Sequence, residues 1–478
     1  MATIAEPIAT TRQAAVASRL PVSFSKRDGI ALIVSNTVGV GILTTPALIA
    51  TLVPDPKAIL ALWILGGCLA LAGAASYGEL AALWPSAGGE YVYLTNTYGL
   101  VAGFLSGWTS LIAGFSGSVA ASAVGVILYA GQYYPGLNSA RVLVSVEFSG
   151  LSLKLTLASL AAAVVILVFA VLHMVSTSAG KLTQNALALT VVGMVVLFAV
   201  FGFSVGHGSW SNFRAPPVRI GAMSWLLALI PVMFTYSGWN AAAYVAEEVH
   251  GNRRTVRPVF TLGTLIVIVM YVVLNALYLY AIPLAQLRGA ENVGEVAARA
   301  LFGAASNLIT PALIVALLGA ISAMTIAGPR VYFAMARDGA FIPAFAHTSR
   351  RFRTPALAIA LQSLWSIVLV LLGGFDQILM YTGFAIVLSS GAAVAGLFLV
   401  RRRQATAKIS AAKLVAPAVF VIATTAMVVN TIVDDLSVAL IGVVLIAAGY
   451  PLYAWCRRRN TPTPNPDIDA DVTVVVQE

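Results

Sequence analysis

Apolar residues run along this chain in long blocks separated by short polar or basic segments, and twelve blocks are long enough to cross a bilayer. They lie at 29–50, 58–83, 100–134, 155–174, 182–206, 221–248, 258–282, 305–335, 356–374, 377–400, 414–433 and 436–456. A spanning helix needs about 20 mostly apolar residues, so the pattern predicts an all-α membrane protein with 12 transmembrane helices. The first block contains VSNTVGVGILTTPALIA, with Gly39, Gly41 and Pro46 near its middle. Glycine costs roughly 1 kcal/mol against alanine inside a helix and proline about 3, so a purely structural span has little reason to collect them. The sixth block is interrupted in the same way at Ser237-Gly238-Trp239, within FTYSGWNAAAY.

The two interruptions mark a weak internal symmetry. Residues 29–205 and 221–403 hold five spans each, both open with an interrupted helix, and both have a long third span, at 100–134 and 305–335. Five is odd, so the halves take opposite membrane orientations, joined by an outer loop at 206–220. Residues 404–456 add two spans and the loop before them, and 1–28 and 457–478 are the terminal tails. Paired interrupted helices in inverted halves point to a transporter binding site.

Backbone inside a bilayer must be satisfied, so an unwound segment survives only where it is buried in protein or lines a cavity. Half-helix ends carry partial charge, positive at N-termini and negative at C-termini. A small zwitterion fits that field. Its carboxylate takes the amides around Gly39, Val40, Gly41 and Ile42, and its ammonium takes carbonyls near Thr37 and at Phe234, Thr235 and Tyr236, beside Ser237 and Gly238. Glycine also serves close helix packing, but the paired break favours a site. Trp239 stands eighteen residues into its span, too deep for an interfacial belt, and is read as a gate. Ser116, Ser322 and Thr325 are mid-span hydroxyls that either form a polar or ion site or bond back to their own helix.

Composition supports the membrane assignment and narrows the chemistry. Of 478 residues 59% are hydrophobic and 10% charged, with a mean hydropathy of +0.91. The net charge of +10 does not indicate nucleic acid. Most Lys and Arg fall in alternate loops, the positive-inside bias, which places both termini in the cytoplasm of a multi-pass cell-membrane protein. Glu247 and Glu248 close the sixth span, where the helix dipole disfavours them, and are expected to pair with Arg253, Arg254 or Arg330. Glu79 has the same standing. No Asp, Glu, Lys, Arg or His lies near the centre of any span, and such residues mark proton relays and ion paths. The chain has no Walker or HExxH motif, which counts against an enzyme, and no cofactor or metal is expected. Cys68 and Cys456 are far apart in the chain and outside the outer loops, so no disulfide is expected.

Four stretches resemble the amino acid–polyamine–organocation superfamily, nearest to bacterial relatives of the L-amino acid transporters: GVGILTTP (39–46), SYGELAALWPSAGGEYVYL (76–94), YSGWNAAAYVAEEVHGNRRTVRP (236–258) and PRVYFAMARDGAF (329–341). The resemblance implies a five-plus-five inverted-repeat core of the LeuT type with two appended helices, alternating access and amino acid transport. It implies that the Gly39 to Ile42 backbone receives the substrate carboxylate, that the break in the sixth helix receives the amine, and that Trp239 matches a gating aromatic. Many relatives hold a lysine about seven residues after a glutamine matching Gln184. Here that position is Val191. Loop 135–153 lacks the cysteine by which animal relatives join an accessory glycoprotein, so no disulfide-linked subunit is expected.

The resulting expectation is a secondary transporter of neutral L-amino acids, acting as an exchanger or facilitator without obligatory ion cotransport. Sodium held near the first break and the Ser322 and Thr325 hydroxyls is the competing form of coupling. A polyamine or organic-cation carrier is the rival within the class. A channel or a non-transporting amino acid sensor is the rival outside it.

Overall fold

The computed structural model describes residues 20–39, 41–138, 142–148, 151–214, 219–251, 253–290, 292–304, 309–373, 375–403 and 412–459. Helices dominate. They are α1 (Lys26–Thr37), α2 (Gly41–Leu52), α3 (Pro56–Leu83), α4 (Glu90–Tyr98), α5 (Leu100–Thr109), α6 (Phe115–Ala130), α7 (Leu157–Val175), α8 (Thr177–Ser204), α9 (Ala222–Tyr236), α10 (Ala241–Tyr244), α11 (Arg253–Ala281), α12 (Leu284–Leu287), α13 (Val293–Phe302), α14 (Ile309–Arg337), α15 (Ala356–Leu372), α16 (Phe375–Arg403), α17 (Ala412–Asp434), α18 (Leu436–Ala447) and α19 (Tyr450–Arg459).

Capping side chains set several helix starts. Ser25 and Asp28 form a reciprocal capping box on α1, Thr156 and Ser159 do the same on α7, and Asp55 caps α3 just before Pro56. Ser176 alone separates α7 from α8, and its hydroxyl caps α8.

Among the described residues nine helices are long and apolar enough to cross a membrane, and α1 with α2, bent by 47° to one another, are apolar enough only when taken together. The apolar helices α9 and α15 are shorter, at 15 and 17 residues. The chain is a multi-pass membrane protein. Position in the bundle follows from burial: the apolar windows of 100–130 and 310–337 are each 61% buried, against 22% for α8 and α17 and 17% for α18 with α19. The peripheral helices expose apolar side chains, among them Leu182, Leu189 and Val196 on α8 and Ile422 on α17. So large an apolar surface is stable only against lipid. Inside, small residues let helices approach: Gly66 of α3 faces Val232 of α9, and Gly67 faces Ile268 of α11.

Two local features depart from the hydropathy reading. Within 135–153, read as a loop, β1 (Val142–Phe148) pairs antiparallel with β2 (Leu151–Thr156), shifted in register between Val142 and Val144. Its alternation is too short and too weakly apolar to register as a span. The long third span is continuous over 100–130 but contains a π turn at Ser110–Gly114. Such a turn displaces carbonyls from the α ladder, and neighbours take them: Tyr332 donates to the Ser110 carbonyl at 3.3 Å and the Trp365 indole to that of Ile112 at 2.8 Å.

One end of the bundle is closed by ion pairs. Arg330 of α14 holds Glu248 through Nε at 2.8 Å and Nη2 at 3.2 Å, with side chains only 5% and 1% exposed. Glu247 takes Arg337 at 2.8 Å and accepts the backbone amides of Leu20 and Ala87. Of the three arginines expected for this pair, Arg330 is therefore used, Arg337 is added, and the side chains of Arg253 and Arg254 lie outside the described residues. Phe24 forms a parallel bridge with Val249, which ties the start of the chain to the same point. Glu79 pairs with Arg401 at 2.7 Å. Asp338 accepts from Tyr91 at 2.8 Å, and burial pushes its carboxyl above the usual range, although Arg337 and the Tyr91 bond oppose the shift.

Breaking a buried pair leaves an uncompensated charge. Arg330→Met is expected to lower stability by about 3–5 kcal/mol, read as a fall in Tm of detergent-purified protein. The double variant Arg330→Met with Glu248→Met should recover most of it, and a double variant as unstable as the single one would show that the charge pairing is not the cause.

Candidate functional site

The α1 helix ends at Thr37, with Val38 extended (φ −78°, ψ 101°) and its N–H still bonded to the Val34 carbonyl. The α2 helix starts at Gly41, and its first amides have no partner within the helix. Val40 lies outside the described residues. The second break follows Tyr236. Ser237 is extended and Gly238 has φ +119°, a conformation that favours glycine. A side chain on Gly238 would come within 2.7 Å of the Asn36 carbonyl oxygen, so the backbones of the two breaks touch. The Asn36 side chain donates to the Gly238 carbonyl at 3.4 Å.

The half-helix ends converge on one hydroxyl. Tyr271 of α11 is fully buried, and its OH lies 2.8 Å from the Thr37 carbonyl and 3.1 Å from the Thr235 carbonyl. These two carbonyls belong to the set anticipated as ammonium acceptors, and the donor between them was not anticipated. A tyrosine inside an apolar span reads as core, so nothing in its local pattern distinguished it. Its ring packs on Tyr236 (5.0 Å) and Trp63 (5.6 Å), while Tyr236 donates to the Trp63 carbonyl at 3.1 Å. A second link joins the halves: Thr45 of α2 and Thr235 of α9 share a hydroxyl bond of 2.7 Å, and Thr235 also donates to the Pro231 carbonyl. Gly41 packs on Thr235, where an added Cβ would lie 3.0 Å from its hydroxyl oxygen.

An apolar cavity of about 70 Å³ opens beside the first break, lined by Gly39, Ile42, Val191, Phe198, Leu274 and Leu313 among others. Val191 and Gly39 thus line the same cavity. Phe234 is 44% exposed, whereas Trp239 is 5% exposed and packs edge-to-face on Tyr77 (4.8 Å) and Phe420 (5.5 Å). Trp239 is not among the cavity-lining residues.

The three mid-span hydroxyls do not assemble into one bonded cluster. Ser322 bonds the His173 ring at 3.0 Å, Thr325 donates back to the Ile321 carbonyl at 2.7 Å, and the Ser116 hydroxyl is buried without a partner. His173 sits near the end of α7, yet its ring reaches the middle of α14. Glu90 is likewise 6% exposed. Neither lies at the centre of a span read from the sequence, yet both are buried, because position within a span does not fix how deep a side chain or a returning loop reaches.

Residues 26–454 match the family model described as amino acid permease. The serine/threonine exchanger SteT of Bacillus subtilis is 27% identical over 439 residues, covering 90% of this chain and 96% of that protein. Asc-type amino acid transporter 1 of Mus musculus is 26% identical over 431 residues, covering 88% and 78%. The b(0,+)-type amino acid transporter 1 of the same species is 24% identical over 379 residues, covering 78% and 75%. With the family model matched along nearly the whole chain, this protein belongs to the amino acid permease family.

Proposed function

We propose that this protein is a secondary transporter that exchanges neutral L-amino acids across the cell membrane by alternating access. The observation that carries this reading is the meeting of two helix breaks at one place, with the carbonyl ends of α1 and α9 on the Tyr271 hydroxyl and the amide end of α2 beside them. Such a site offers partial positive charge to a carboxylate and partial negative charge to an ammonium. The carboxylate is assigned to the backbone from Gly39 to Ile42. The ammonium is assigned to the carbonyls around Thr37 and Phe234 to Tyr236, and the side chain to the apolar cavity against Val191 and Phe198. The apolar lining disfavours a polyamine, which needs acidic counter-charges. Trp239 would gate by leaving its contacts with Tyr77 and Phe420 as the broken helix moves.

The same reading takes α1 with α2, and α9 with its continuation, as the opening spans of two inverted five-span halves at 29–205 and 221–403. With α17 and with α18–α19 the total becomes twelve spans, with both termini cytoplasmic. Exchange is favoured because the relatives include a serine/threonine exchanger and because the wall position at 191 is an uncharged valine.

In proteoliposomes, unlabelled internal amino acid should drive uptake of labelled leucine, alanine or serine with no ion gradient imposed, and arginine and putrescine should compete poorly. Uptake that demands an inward sodium gradient would overturn ion-independent exchange. Gly41→Val should reduce exchange by about tenfold or more, since a branched side chain meets Thr235 and crowds the amide end, while membrane insertion persists; normal exchange would make the break a packing feature. Tyr271→Phe removes the donor shared by two buried carbonyls, a loss of about 1–3 kcal/mol. It should slow exchange with little change in expression, and unaltered kinetics would remove Tyr271 from the site.

A further inference from the structure

The apolar cavity beside the first break measures about 70 Å³, roughly half of the ~150 Å³ of an engineered cavity that holds benzene. Half of a six-carbon ring is about three carbon atoms. Val38 and Ile42 of the broken helix, Val191 of α8 and Leu274 of α11 line it, and all four are aliphatic and only 2–4% exposed. Two further residues set its limits. Phe198 of α8 lines the cavity with its ring 6.1 Å from that of Phe302 on α13, so an aromatic pair closes that side. Gly294, near the start of α13, also lines it, and a Cβ there would lie 3.0 Å from Leu43 of α2. The wall is therefore close-packed, and a bulkier occupant has to displace it.

Polar groups are placed where a small side chain does not meet them. Among the described residues that line the cavity, Tyr278 alone carries a side-chain oxygen. Tyr271 is level with the Thr37 carbonyl to which it donates, and Tyr278, seven residues later, stands about 10 Å further along α11. The Tyr278 hydroxyl lies beside Gly294, 3.6 Å from where a Cβ would be. A hydroxyl on the β-carbon of a substrate held by the backbone ends does not reach that far. The hydroxyls nearer the break are engaged: Thr37 donates to the Ile33 carbonyl at 2.7 Å, and Thr45 and Thr235 bond each other at 2.7 Å. Burying a hydroxyl without a partner is unfavourable, whereas burying a methyl in the same place is favourable. Valine and threonine have the same shape and differ only in that replacement.

We infer that this cavity is a subsite for a three-carbon branched aliphatic side chain, which makes valine the preferred substrate, with Val191 setting its polarity and Phe198 its size. The inference rests on the amino acid exchange proposed above and on the placing of the substrate side chain here. Threonine fits by volume and is disfavoured by its hydroxyl. Leucine brings one carbon more than the space holds, and phenylalanine about twice what it holds. Alanine leaves part of the apolar wall without contacts.

The test measures efflux of labelled alanine from proteoliposomes, driven by external valine, threonine, leucine or phenylalanine, together with the thermal shift each of the four gives the detergent-purified full-length protein. The half-maximal concentration should be lowest for valine, about tenfold or more below that of threonine, and phenylalanine should be nearly inactive. Val191→Thr should narrow the valine-to-threonine ratio by about tenfold, and Phe198→Ala should admit leucine and phenylalanine. Wild-type protein that takes threonine or phenylalanine as well as valine overturns the inference and leaves exchange in place, as do unchanged preferences in both variants. If a variant does not fold, the wild-type order decides. If no amino acid drives efflux, the exchange reading falls: a thermal shift by valine above threonine and phenylalanine then keeps the subsite, and the lack of such a shift overturns it too.

Discussion

Backbone carbonyls and amides freed inside an apolar bundle must find partners, and much of this structure is arranged around that requirement. At the two breaks the helix ends are satisfied across the chain: Tyr271 serves Thr37 and Thr235 together, Asn36 reaches Gly238, and Thr45 meets Thr235. Each unpaired group would cost several kcal/mol away from water. The π turn in the third span obeys the same rule through Tyr332 and Trp365. Irregular backbone therefore occurs where other helices supply donors and acceptors.

Charge is handled differently at the two levels of the bundle. At the closed end, carboxylates are neutralised by arginines in short bonds, and those pairs join residues remote in sequence, such as Glu79 with Arg401 and Glu248 with Arg330. Nearer the second break the carboxylate of Glu90 has only neutral donors. Paired charges hold geometry in one state because separating them exposes a bare ion.

The interior also holds polar side chains with no partner, including both polar atoms of Gln184, the Ser35 hydroxyl and Ser116. Buried polar atoms are rarely left unsatisfied in proteins, and these lie on α1, α6 and α8. The cavity beside the first break is lined by apolar residues, Val191 among them.

Hydropathy and glycine positions determined the membrane class, the approximate limits of the helices and the location of both breaks, because these depend on local quantities, apolar run length and the conformational freedom of Gly39, Gly41 and Gly238; Pro46, read with them, lies inside α2 and interrupts nothing. The pairing of Glu248 with Arg330 was among the readable options, since a buried acid needs a base. Other features were settled only by tertiary structure. Tyr271 became the shared donor because α11 packs against both breaks, His173 reached Ser322 because α7 lies against α14, and Trp239 turned toward Tyr77 and Phe420. Glu90 sits in a polar-looking turn by sequence, and only the return of that turn beneath Tyr244 removes it from water. The physical reason is the same in each case: hydrogen bonding and desolvation depend on what lies within a few ångströms in space, and in a bundle of long helices those neighbours come from distant parts of the chain.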